Sequence, residues 1–232
     1  MLDFWGTIFF PKNIDEYRRK RLRDIQRILS KYGYRKTISN IEKKYYENRA
    51  MIDRIRKVTL HEISLEGEVI AFLDKIGVEY DHNIVRELSR AYINVYYRYT
   101  IPIDGLEDFL IFLKHHNLKV AIVSNTMHGK ATKYLLFKYG LNKYIDVFVM
   151  SDEVGFRKPH PLIFRYALRK LGVKRNECIM IGDEKDDVCG ARRIGITPIL
   201  IDHQNNGKRY ECEKHRVRSF NELKKLLLRS YL

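Results

Sequence analysis

Apolar positions recur at three- and four-residue intervals almost without a break along residues 14–99. Leu22, Ile25, Ile28, Leu29 and Tyr32 fit a first helix, with Arg18, Arg19, Arg21, Arg23, Arg27 and Lys31 among them. Ile41, Tyr45, Ile52 and Ile55 predict a second. Ser64, with Glu66 and Glu68 behind it, marks a third helix start before Val69, Phe72 and Leu73. Asp81 is placed to cap a fourth, which carries Ile84, Val85, Leu88, Tyr92, Val95 and Tyr99. Four helices and hardly a strand are expected over this stretch.

From about residue 100 the pattern changes to alternation. A helix at 105–116 presents Leu106, Phe109, Leu110 and Leu113, and the apolar run LKVAIVSN follows it. Next come a helix at 128–139, the short run VFVM at 147–150, and an amphipathic helix at 160–172 closed by Gly172. CIMIGD at 178–183, a helix at 187–194, the strand ITPILID at 196–202 and a final helix at 219–228 capped by Ser219 complete the series. Strands alternating with helices predict an α/β core with a doubly wound, Rossmann-like parallel sheet. Residues 1–13 and 100–232 would form that core, and 14–99 an inserted all-helical domain.

Ligands of such sheets bind beyond the carboxyl ends of the strands. That rule singles out the polar residues closing each run: Asp3, Ser124, Asn125, Ser151, Asp152 and Asp183. Asp3, followed by Gly6 and Thr7, is a carboxylate beside a tight turn and can attack phosphorus or carbon. The Ser124 hydroxyl and the Asn125 backbone N–H are donors for a phosphoryl oxygen. Lys158, in FRKPHP, is a cation that Pro159 and Pro161 hold in a defined loop. Asp183 and Asp187 lie four apart in GDEKDD. With Asp183 in a loop and Asp187 opening a helix, both face one site, and such hard oxygen ligands suit Mg²⁺.

Composition changes the picture little. The chain has 232 residues, 45% hydrophobic and 31% charged, as a globular protein does. The net charge of +15 raises nucleic-acid binding. No helix-turn-helix, zinc-finger or RNP-type pattern accompanies it, so solvated basic faces are the expectation. No apolar run reaches membrane-spanning length, and the short apolar start has no basic region before it and no small-residue cleavage site, so mature sequence of a cytoplasmic protein is expected. Cys178, Cys189 and Cys212 form no C-x-x-C pair, and Cys178 and Cys189 read as small buried hydrophobes.

Taken together, LDFWGT, VAIVSNT, SDEVGFRKPHPLIF and IMIGDEKDDVCGARRIG resemble, in order, the four motifs of the haloacid dehalogenase (HAD) superfamily of hydrolases. The resemblance covers almost the whole chain. It implies Asp3 as nucleophile and Lys158 as the cation steadying the charged intermediate. It assigns Thr7, Ser124, Asn125 and Lys158 to the transferred group. Asp3, Asp183, Asp187 and the Trp5 backbone carbonyl become the Mg²⁺ ligands. It makes 14–99 the family's helical cap, which selects substrate, here a small phosphorylated metabolite.

Two departures stand out. The family's phosphatases usually carry an Asp two residues after the nucleophile as general acid, where this chain has Trp5. The family's dehalogenases carry an aromatic residue there but lack the acids of the fourth motif. Three readings follow: an Mg²⁺-dependent phosphatase working through an aspartyl-phosphate, a 2-haloacid dehalogenase, and a non-catalytic phosphometabolite-binding protein. The second departure is length. Asp3 should end a central strand of about five or six residues, which Met1 and Leu2 do not supply, so a start upstream of Met1 or a stunted strand is expected. The sequence does not fix an oligomeric state. His128, Arg157, His115, His116 and the tyrosines 92, 96, 97 and 99 are lesser candidates for roles at the site.

Overall fold

Short runs of β-branched and other apolar residues pair in parallel when helices cover both faces of the sheet they form. The computed structural model, which describes residues 1–207 and 209–232, follows this rule in its core. In chain order the elements are β1 (Phe9–Pro11), α1 (Ile14–Lys31), α2 (Ile38–Thr59), α3 (Leu65–Ile76), α4 (His82–Tyr99), β2 (Thr100–Pro102), α5 (Leu106–His115) and β3 (Ala121–Ser124). There follow α6 (Gly129–Lys138), β4 (Val147–Met150), α7 (Ser151–Val154), α8 (Pro161–Leu171), β5 (Ile179–Gly182), α9 (Lys185–Arg193), β6 (Thr197–Ile201), β7 (His215–Val217) and α10 (Phe220–Ser230). The chain divides into two compact units, residues 1–10 with 101–232, and residues 11–100.

In the first unit β3 pairs with β4, β5 with β6 and β6 with β7, all in parallel. The N-terminal residues fill the space between the two groups. Leu2 bridges Ile122 on one side and Ile181 on the other. Its N–H donates to Ala121 O at 2.8 Å, and the Asp3 N–H donates to Ile181 O at 2.9 Å. Three residues thus occupy the sheet centre that a longer strand was expected to fill. The strand order reverses here, with β3 and β4 to one side and β5, β6 and β7 to the other. In doubly wound sheets this switch point is where ligands sit.

Burial locks the arrangement. Met1, Ala121, Val123, Val149 and Met180 pack with Ile163, Phe164, Ala167 and Leu171 of α8 and Ala191 of α9. Elsewhere Phe109 of α5 stacks on Phe220 of α10 at 5.0 Å. One expectation fails. Cys189 is not merely a small buried hydrophobe, because it is disulfide-bonded to Cys212, with Cα atoms 5.1 Å apart. The excursion after β6 folds back so that Tyr210 and Cys212 pack on Val188, Cys189 and Leu200. Cys178 is buried and free.

The second unit is helical, and each helix has its own start signal. The side chains of Asn13, Thr37, Ser64 and Asp81 accept from backbone N–H groups of the first turns of α1 to α4. Tyr45 packs on Phe72 and Tyr92. Beneath them Arg56, 3% exposed, binds Glu62 at 2.9 Å and Glu68 at 3.0 Å. Arg18, Arg19, Arg23 and Arg27 are exposed, as solvated basic positions are. Among the described residues no helix is long and apolar enough to cross a membrane.

Candidate functional site at the carboxyl ends of the strands

Asp3 leaves the sheet at its switch point and is 7% exposed. Its Oδ1 is bound to Lys158 Nζ. The same ammonium binds Asp187 Oδ1 at 2.6 Å and donates to Val123 O at 2.7 Å. Lys158 is held from its backbone as well. Its N–H donates to Asn125 Oδ1 at 2.7 Å, and Asn125 Nδ2 donates to Lys158 O at 3.0 Å. Asn125, expected to contribute its backbone N–H to a ligand, therefore uses its side chain as a two-point clamp on the lysine loop.

Asp187 lies in the first turn of α9. Its Oδ2 accepts the Glu184 N–H at 3.0 Å, so both oxygens are engaged and the carboxylate is fixed. Asp183 precedes the helix, and its Oδ1 accepts from Thr7 Oγ1 at 3.0 Å. Thr7 is fully buried. Two glycines make these approaches possible. Gly6 has φ +81° and lies against the Asp183 carboxylate, where a Cβ would collide. Gly182 faces the Asp187 side chain with no room for a Cβ either. Ser124 ends β3 and is buried.

The sequence therefore nominated residues that the fold gathers: Asp3, Thr7, Asn125, Lys158, Asp183 and Asp187. Others lie differently. Trp5 is half-buried and bridges Phe9 in the turn. Ser151 Oγ accepts from the Thr126 N–H at 2.8 Å, and Asp152 Oδ2 from the Gly129 N–H at 2.8 Å, so both support the loop after β3. His128 caps α6, its Nδ1 accepting from the Ala131 N–H at 3.0 Å. His115 and His116 close α5, and the basic Arg157 acts on Asp186. Sequence reasoning missed His203, whose Nε2 lies 3.0 Å from Thr7 O. A single histidine after a strand carries no motif by which to find it.

The electrostatics are those of crowded acids. Burial first, then Asp187 and Asp183, push the Asp3 carboxyl up to about 8, against the opposing pull of Lys158. Burial works to lower Lys158, but Asp187 and Asp3 outweigh it and raise its pKa. Asp186 is raised by burial, with Asp187 adding to the effect. Asp3, Asp183 and Asp187 each offer an oxygen within 4.8 Å of the others, all acidic and with no sulfur or imidazole among them. One ammonium does not balance three carboxylates. The donor set fits a hard divalent cation such as Mg²⁺.

Comparison with known proteins agrees with this picture. A family model described as haloacid dehalogenase-like hydrolase matches residues 24–201, a span that begins after Asp3 and Thr7. The glyceraldehyde 3-phosphate phosphatase of Methanothermobacter thermautotrophicus is 33% identical over 128 residues, which is 55% of this chain and 54% of that protein. Matches to curated relatives of this kind span about half of their length. The crystal structure of a HAD phosphatase from Thermococcus onnurineus superposes with a TM-score of 0.68 at 23% identity, covering 97% of this chain and 95% of that one. A 2-haloacid dehalogenase from Pseudomonas syringae pv. tomato superposes with a TM-score of 0.73 at 17% identity, covering 98% and 96%. At these identities the likeness is one of fold, a Rossmann-like core with a helical cap. With most of its length matched to the family model, the chain belongs to the haloacid dehalogenase-like hydrolase family.

Proposed function

We propose that the chain is an Mg²⁺-dependent phosphatase that hydrolyses a small phosphorylated metabolite through an acyl phosphate on Asp3. The observation that carries this reading is the cluster of Asp3, Asp183 and Asp187 around the buried Lys158. An Asp3 oxygen attacks phosphorus and the leaving group departs with the electrons of its P–O bond. Water then attacks the acyl phosphate, releases phosphate and restores the carboxylate. Lys158 fixes the Asp3 carboxylate and balances charge during both steps. Ser124 and the Asn125 N–H lie at the end of β3, where donors to the phosphoryl oxygens belong.

Asp3 and Asp183, with Asp187 beside them and the Trp5 carbonyl as a further ligand, would hold Mg²⁺, whose charge lets an anionic nucleophile meet an anionic phosphate. Trp5 has no proton to give at neutral pH, so the leaving group is protonated by water or by the substrate itself. General acid help is worth about 10²–10⁴ in rate, so good leaving groups suffer least. The similarity to a glyceraldehyde 3-phosphate phosphatase supports a small phosphorylated substrate. The test is Asp3→Asn, which is expected to reduce Mg²⁺-dependent phosphate release to background; substantial residual turnover rejects the covalent step.

Trp5 favours a second reading, carbon–halogen cleavage by Asp3, since dehalogenases of the family have an aromatic residue there. The acids beside Asp3 weigh against it. Turnover of a 2-haloacid that persists in chelator would reverse that preference.

A further inference from the structure

We propose that His203 is a positioning residue for the phosphate and metal site: its Nε2–H holds the Thr7 carbonyl and, through Thr7, the Asp183 carboxylate. The inference rests on the reading of Asp3 and Asp183 as that site. The relay runs through two contacts. His203 Nε2 lies 3.0 Å from Thr7 O, and Thr7 Oγ1 donates to Asp183 Oδ1 at 3.0 Å. A carbonyl only accepts, so Nε2 must carry the proton.

His203 stands two residues beyond the end of β6, and its ring meets Phe220 edge-on at 4.9 Å. Phe220 is buried, so the ring has a firm support. Burial lowers the imidazole's pKa, which leaves a neutral donor near neutral pH. His203 therefore ties together three segments, the one after β6, the start of α10 and the turn after Asp3.

That turn is tied from outside at Ile8, whose carbonyl accepts from the Ile103 N–H at 2.9 Å, and at Thr7 by His203. It closes on itself through the Gly6 N–H to Phe9 O at 2.8 Å and the Ile8 N–H to Phe4 O at 3.0 Å. Neither bond fixes how close Thr7 stands to Asp183. A Cβ on Gly6 would lie 2.4 Å from Asp183 Oδ2, so the turn packs tightly against that carboxylate and a shift of one is felt by the other. Misplacement of about 1 Å at a reacting centre can cost about 10² in rate.

Two substitutions separate positioning from packing. His203→Gln keeps an N–H donor at about the reach of Nε2 but removes the ring. His203→Phe keeps a ring against Phe220 but has no donor. Two readouts are taken: kcat and KM for an activated aryl phosphate, and the rise in melting temperature on titration with Mg²⁺ alone. Positioning predicts that His203→Phe loses about 10-fold or more in kcat with little change in KM. It also predicts weaker Mg²⁺ binding for that variant, while His203→Gln stays near wild type in both readouts. The opposite order, with His203→Phe intact and His203→Gln impaired, or equal behaviour of the two, overturns the proposal. Should the wild type release no phosphate, the proposed function fails, and the Mg²⁺ titration still decides the role of His203.

Discussion

Replacing Asp3 with Asn is expected to stabilise the chelated protein at alkaline pH. Asp3 is 7% exposed, and burial, Asp187 and Asp183 together raise its carboxyl from 3.8 to about 8, Lys158 notwithstanding. An acid whose folded pKa is raised holds its proton more tightly in the native state. Its contribution to stability is complete below the unfolded value of 3.8 and is lost as pH rises through about 8. At about 1.4 kcal/mol per unit, a shift of about four units corresponds to about 5–6 kcal/mol over that window. Asparagine has no such proton. The stability of Asp3→Asn minus that of wild type should therefore climb by about 1.4 kcal/mol per pH unit below pH 8 and level off above it. Urea unfolding in chelator, at several pH values from about 5 to 9, measures this difference directly. Mg²⁺ added at the upper end should shrink it, since a cation that binds only the folded wild type stabilises that form. A difference that is independent of pH, or that falls as pH rises, refutes the picture of a buried and under-compensated carboxylate.

Trp5→Asp should raise phosphate release from a poor leaving group by about 10²-fold or more, and from an activated aryl ester much less; paired steady-state rates check it. Cys189 and Cys212 are 23 residues apart in sequence, so reducing their bond, or the Cys212→Ser variant, should cost about 3 kcal/mol in a denaturant titration. In the helical unit, Arg56→Met strips the buried Glu62 carboxylate of its cation and leaves Glu68 with Arg49 alone, at 3.1 Å, and should cost about 3 kcal/mol by calorimetry. A triple substitution that also neutralises both acids should recover most of that loss.

Periodicity and caps made most elements legible. Ser64, Asp81 and Ser219 lie one residue before the helices they start, and Gly172 closes α8 in the left-handed conformation. The three-residue strands β1, β2 and β7 were not legible, because an alternating pattern needs more positions to declare itself. The motif acids were legible because each closes an apolar run, and strand ends converge in a parallel sheet. Partners such as Asn125 on the Lys158 backbone, His203 on Thr7 and Cys189 on Cys212 depend on loops whose paths no local pattern fixes. At the sheet centre, Leu2 and Asp3 are bonded on both sides, to Ala121 and Ile181, a pairing that two residues of sequence do not announce.

Release of inorganic phosphate from an activated aryl phosphate, followed in Mg²⁺ and in chelator for the wild type and Asp3→Asn, tests the central claim most directly. Turnover that requires Mg²⁺ and disappears with Asp3→Asn is the expected result. Turnover that survives the substitution, or none in a folded wild-type protein supplied with Mg²⁺, would contradict a phosphatase working through Asp3.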